Sequence, residues 1–132
     1  MKVIQQVFNL NREKYFATHL SILNAILPAK LTDKELEVLS AFMSLDETIT
    51  QENMFNSEAR KRVMKKLNLQ PAGLSNHLGS MISKGFLVKN DVTKLITIKK
   101  FLIPEKDGQG YQIKIFLRNE QTNQWWFIKR VL

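Results

Sequence analysis

The sequence has no cysteine, which rules out disulfides, cysteine-ligated zinc and thiol nucleophiles. It has two histidines, His19 and His77. They lie far apart, no acidic residue adjoins either, and neither shows metal-ligand spacing. Glycine and proline are sparse, and the chain contains no P-loop, no dinucleotide-binding fingerprint and no nucleophile elbow. No stretch is long and apolar enough to span a bilayer, and the opening run Met1–Gln6 lacks the apolar core of a secretion signal. There is no internal repeat and no low-complexity segment. These absences set the expectation of a soluble, cytoplasmic protein without a membrane partner. They argue against an enzyme, and no cofactor and no metal is expected.

What is present is a basic chain of 132 residues, 44% hydrophobic, the size of one domain with enough apolar content for a core. The net charge is +8, and it is unevenly spread. Residues 1–30 carry +3, residues 31–56 carry −5, residues 57–100 carry +8 and residues 101–132 carry +2. One third of the chain therefore holds the equivalent of the whole excess. Solubility alone does not require that concentration; a polyanion-binding face does.

Residues 2–10 read as strand or irregular. From Asn11 the pattern turns helical: Phe16, Leu20, Leu23 and Leu27 make one stripe, Asn11 caps the start and Pro28 ends it. Thr32 and Glu35 have capping-box spacing ahead of Leu36, Leu39, Phe42 and Met43. A polar connection, 46–56, holds Met54-Phe55, read as covering the core or forming a very short strand. Ser57 is expected to cap the next helix, packed through Ala59, Val63 and Leu67 and closed by Lys65, Lys66 and Asn68. Pro71 suits the first turn of a further helix through Leu74, Leu78, Met81 and Ile82, stopped at Gly85. Beyond it the period changes. Leu95–Ile103 and Tyr111–Leu117, on either side of the turn 104–110, read as a β-hairpin. The expected class is α+β, mostly helical: an N-terminal helical extension (1–30), a winged helix-turn-helix domain (31–118) and a C-terminal aromatic tail (119–132).

Two helices joined by a tight turn and followed by a hairpin form the plan of a winged helix-turn-helix. On a helical wheel the side of 71–84 opposite Leu74 holds Ala72, Gly73, Asn76, Gly79, Ser80 and Ser83, with Ser75 and His77 flanking it. This face is small, polar and free of acids, so its backbone can approach a major-groove floor. Asn76 suits adenine, and the serines suit base edges or phosphate. Arg60, Lys61, Arg62, Lys65 and Lys66 on the preceding helix are candidate phosphate contacts, as are Lys94, Lys99, Lys100 and Lys106 of the wing, with Lys114 on its return strand. Six to ten such contacts, roughly, imply steep salt dependence.

The stretch RKRVMKKLNLQPAGLSNHLGSMISKGFL, residues 60–87, resembles the helix-turn-helix core of bacterial winged-helix regulators of the MarR-like kind. The resemblance rests on Leu74-Ser75, Leu78, Met81 and Lys84-Gly85-Phe86, and extends over roughly residues 31–118. The chain is also similar to small accessory DNA-binding proteins of phages and mobile elements, which have openings like LTDKELEVL. The resemblance implies a sequence-preferring double-stranded DNA-binding protein acting in transcription regulation, with Ser75, Asn76 and the residues opening that helix on the DNA. Many relatives carry Arg where this chain has Asn76.

Other readings stay open at this stage. The basic cluster at 60–66 also fits a solvated helix face, and Asn76 and the serines also fit ordinary surface. The acids Asp33, Glu35, Glu37, Asp46, Glu47 and Glu52 fit helix capping and solvated surface better than a metal or acid–base site, and His19 fits packing. The tail 123–132, with Trp125 and Trp126, covers the core or forms an oligomer contact. A homodimer through 11–27 or 123–132 is the corresponding partner expectation. The alternative function is a non-enzymatic winged-helix assembly subunit of a phage particle, replisome or polymerase complex, working through protein contacts.

Overall fold

A computed structural model describes residues 3–51, 53–105, 107–114 and 116–119. The fold is α+β. Among the described residues there are five helices, α1 (Arg12–Ile26), α2 (Asp33–Met43), α3 (Glu47–Thr50), α4 (Ser57–Leu67) and α5 (Pro71–Ser83). Two short strands follow, β1 (Leu87–Lys89) and β2 (Ile96–Ile98), and then one turn of 3₁₀ helix at Lys100–Leu102. The strands form an antiparallel pair in which Leu87 faces Ile98, Val88 faces Thr97 and Lys89 faces Ile96. No helix among the described residues is long and apolar enough to cross a membrane.

Local chemistry accounts for most helix boundaries. The Asn11 side chain accepts the Lys14 N–H at 3.0 Å and starts α1. In α2 the capping box closes in both directions: Glu35 N–H to Thr32 Oγ1 at 3.1 Å, and Thr32 N–H to Glu35 Oε1 at 2.8 Å. Asn68 ends α4 in the left-handed conformation, at φ 53°, and Pro71 opens α5. The cap of α4 differs from expectation. Asn56, not Ser57, accepts the Ala59 N–H, and Ser57 is the first helical residue. Asn56 holds the place because its amide also donates to the Ile49 carbonyl at 2.6 Å, bracing the loop before it.

The core lies around α2. Val38, Leu39 and Phe42 are buried against Leu20 of α1, Ala59 and Val63 of α4, and Leu74, Leu78 and Met81 of α5; Leu87, Ile96 and Leu102 complete it. The α1 stripe faces inward, with Phe16, Leu23 and Leu27 packed on the same cluster, so this helix shares the core. Arg12 fastens its start to the end of α2. The guanidinium donates to the Ser44 carbonyl at 2.9 Å and the Leu45 carbonyl at 3.0 Å, placing a cation on the negative end of that helix.

Two expectations are corrected. Met54-Phe55 is not a strand but a turn. Phe55 is buried with its ring 4.8 Å from that of Phe42, so packing against α2 takes the place of strand pairing. The hairpin lies earlier than the alternation suggested. It joins 87–89 to 96–98 through 90–95, not 95–103 to 111–117 through 104–110. Asn90 explains the shift: its side chain accepts the N–H groups of Val92 and Thr93, and Lys94 closes the turn at φ 62°. After Lys99 N–H reaches the Phe86 carbonyl, the chain winds into the 3₁₀ turn to bury Leu102, which interrupts the expected strand. Residues 111–114 and 116–117 are exposed and do not form a strand. The tail 123–132, with Trp125 and Trp126, lies outside the described residues, as do Lys106 and Ile115.

Candidate nucleic-acid interface

The α4–α5 pair is joined by 68–70. Both Asn68 N–H and Leu69 N–H close onto the Met64 carbonyl, so the left-handed Asn68 turns the chain within two residues. Helix α5 is seated by Leu74, Leu78 and Met81 and continues into β1, with Phe86 N–H on the Met81 carbonyl. With this face spent on the core, Ala72, Ser75, Asn76, Gly79 and Ser83 remain exposed on the other. None of them is charged. Gly73 and His77 are half-buried at the margins. The N-terminus of α5 has no side-chain cap, which leaves the N–H groups of Ala72 and Gly73 at its positive end without a side-chain acceptor among the described residues.

Ser80 is half-buried and lies beside the Glu35 carboxylate, so it faces inward from the outer surface on which the wheel had placed it. Glu35, 1% exposed, also takes the Lys84 ammonium at 2.6 Å. Burial alone would raise this carboxyl. Hydrogen bonds from Lys84 and the Thr32 N–H, the nearby Ser80 hydroxyl and the Lys84 charge outweigh it and hold the pKa at about 2. The Lys84 ammonium also donates to the Lys30 carbonyl at 2.9 Å.

The cations of α4 are unequal. Arg60 donates to the Phe55 carbonyl at 2.8 Å. Arg62 pairs with Glu58 at 3.0 Å, and Lys66 pairs with Glu13 of α1 at 2.7 Å. Lys61 and Lys65 are exposed and meet no acid among the described residues. Lys89, Lys94, Lys99 and Lys100 of the hairpin and its exit are likewise exposed and unpaired there. Lys99 sits beside the trailing end of α5 through its bond to Phe86, whereas Lys94 stands on the hairpin turn. Lys114, expected on the return strand of the wing, is exposed and on no strand, because the hairpin closes at 96–98.

Sequence reasoning did not single out Lys89 or Glu13, and it named Lys84 only within the Lys84-Gly85-Phe86 ending of α5, not as a partner of Glu35. The signal for Lys89 was its place on the true first strand. The partners of Lys84 and Glu13 lie too far away in sequence for spacing to reveal them.

His19 is buried and holds the other side of the molecule together. Its Nε2–H donates to the Leu102 carbonyl at 2.9 Å, and its Nδ1 accepts the Tyr111 hydroxyl. Burial lowers its pKa, and the bond to Leu102 only partly offsets that. No group of three or more His, Asp or Glu suited to a metal ion occurs among the described residues.

The chain matches no family model, no curated protein and no solved structure.

Proposed function

We propose that this chain is a sequence-preferring double-stranded DNA-binding protein of the winged helix-turn-helix type, acting in transcription regulation. In this reading α2, α4 and α5 are the three-helix unit, α5 enters the major groove, and the hairpin 87–98 is the wing. One observation carries it. The exposed side of α5 is small, polar and without carboxylates, and six exposed lysines with no acid partner among the described residues lie on the elements before and after it.

Each part then has a role. Lys61 and Lys65, with Lys89, Lys94, Lys99 and Lys100, contact phosphates and set orientation. The open N–H groups of Ala72 and Gly73 receive a phosphate at the helix start. Asn76 and Ser75 read base edges. Gly79, which has nothing within 4 Å of where a Cβ would stand, permits close approach. Arg60, Arg62 and Lys66 are assigned a smaller share because carbonyl or carboxylate partners already hold them.

Fluorescence anisotropy with random duplex and single-stranded DNA, at low and high salt, tests this. Duplex binding that weakens steeply with salt supports it, as does Asn76→Ala changing sequence preference more than overall affinity. Absence of duplex binding at low salt favours the assembly-subunit alternative instead.

A further inference from the structure

A groove of about 700 Å³ opens where the first turns of α1, the end of α2, the segment after α3 and residues 103–105 meet. Its floor is apolar, made by Phe16, Met43, Met54, Ile103 and Pro104. Phe8 and Leu10 form part of its rim, and from there residues 3–7 run out without helix or strand. Val3 is 85% exposed, Ile4 90%, Val7 76% and Phe8 65%. No backbone hydrogen bond joins residues 3–10 to the rest of the described chain.

We propose that this segment is an arm which seats in the groove of a second copy of the chain, each copy giving one arm and receiving one. The arm does not fill the groove of its own chain, since Val3, Ile4 and Val7 stand in solvent while the groove is open among the described residues. Two pairs of large apolar side chains, Val3-Ile4 and Val7-Phe8, standing in water on one short segment form a surface that calls for a cover. Every copy carries both halves of the contact, so a twofold exchange closes on itself and leaves neither half unused.

The chemistry of the arm suits burial. Residues 3–10, Val-Ile-Gln-Gln-Val-Phe-Asn-Leu, hold no charge, so docking strands none. Their free N–H and C=O groups allow an extended partner to bond along them. Eight residues seated twice over bury on the order of 1,000–2,000 Å², the range of a specific interface. Carboxylates outnumber cations in the groove lining, where Glu105 and Asp107 stand beside Arg12 and Glu47, which disfavours a nucleic-acid occupant, so this contact is separate from the DNA reading and independent of it.

Sedimentation velocity of the full chain without DNA, over a wide concentration range, tests the exchange. The expected result is a dimer for the native chain, and monomers for an arm variant, Ile4→Asp with Val7→Asp, and for a groove variant, Ile103→Asp. Both variants should keep the native helical circular dichroism. An equimolar mixture of the two should associate again, because that pair retains one sound arm and one sound groove. A native chain that is monomeric throughout, an arm variant that stays dimeric, or a mixture of folded variants that does not associate would each overturn the proposal.

Discussion

Glu35 and Lys84 lie 49 residues apart and meet at 2.6 Å, joining the first turn of α2 to the end of α5. The carboxylate is nine-tenths or more buried and the ammonium is 27% exposed, so water screens the pair little. The Glu35 carboxyl titrates at about 2 in the fold against an ordinary 4.5. A depressed carboxyl stabilises the fold above its unfolded pKa, and that contribution is lost as pH falls through the folded value. Stability should therefore drop between pH 4.5 and about 2, by on the order of 3 kcal/mol from this group. Urea unfolding across that range should show the slope in the native chain and lose much of it in Glu35→Gln. Lys84→Met at neutral pH should cost about 3 kcal/mol, since it leaves a buried carboxylate alone.

His19 behaves in the same sense over a higher range. Its folded pKa is lowered, so the unfolded chain binds the proton more readily. The stabilisation is complete above pH 6.5 and declines as pH falls below it. Protonation also gives Nδ1 a hydrogen that the Tyr111 hydroxyl, now donating, must turn to accept. Proton NMR should find the imidazole titrating below 6.5. A midpoint at or above that value would contradict the buried, neutral form.

Gly79 separates stability from binding. It is exposed in the middle of α5 and a methyl group there meets nothing within 4 Å. Gly79→Ala should raise unfolding free energy by about 0.5–1 kcal/mol. On the proposed reading it should also weaken duplex binding, because the methyl group faces the groove floor. Thermal melting and anisotropy on the same preparation check both, and a variant that gains stability with unchanged affinity would move α5 off the DNA.

The α4 cations should divide by their partners. Lys61→Ala with Lys65→Ala should lower the slope of log affinity against log salt by about 2. Lys66→Ala should do less, because Glu13 holds that ammonium at 2.7 Å. Glu13→Gln frees it and should steepen the slope. Equal effects from Lys61, Lys65 and Lys66 would show that the ion pair does not restrain binding.

Features set by neighbours in sequence were legible. The Thr32 capping box, the left-handed Asn68, Pro71 at the head of α5 and the buried Leu74, Leu78 and Met81 follow from short-range spacing. So did the exposure of Ala72, Ser75 and Asn76, since fixing one face of a helix fixes the other. The hairpin lies earlier than the sequence suggests because alternation at 111–114 and 116–117 looks like a strand but forms none, whereas the strands at 87–89 and 96–98 are too short to alternate visibly. The inward turn of Ser80, the competition of Glu13 for Lys66 and the commitment of Arg60 to a carbonyl depend on residues brought close only by folding.

The same Lys84 ammonium that neutralises Glu35 also grips the Lys30 carbonyl, between α1 and α2. A single nitrogen thus ties the trailing end of the outward-facing helix to the connection between the first two helices. Removing it would loosen two distant stretches of chain at once, the α1–α2 corner and the exit of α5.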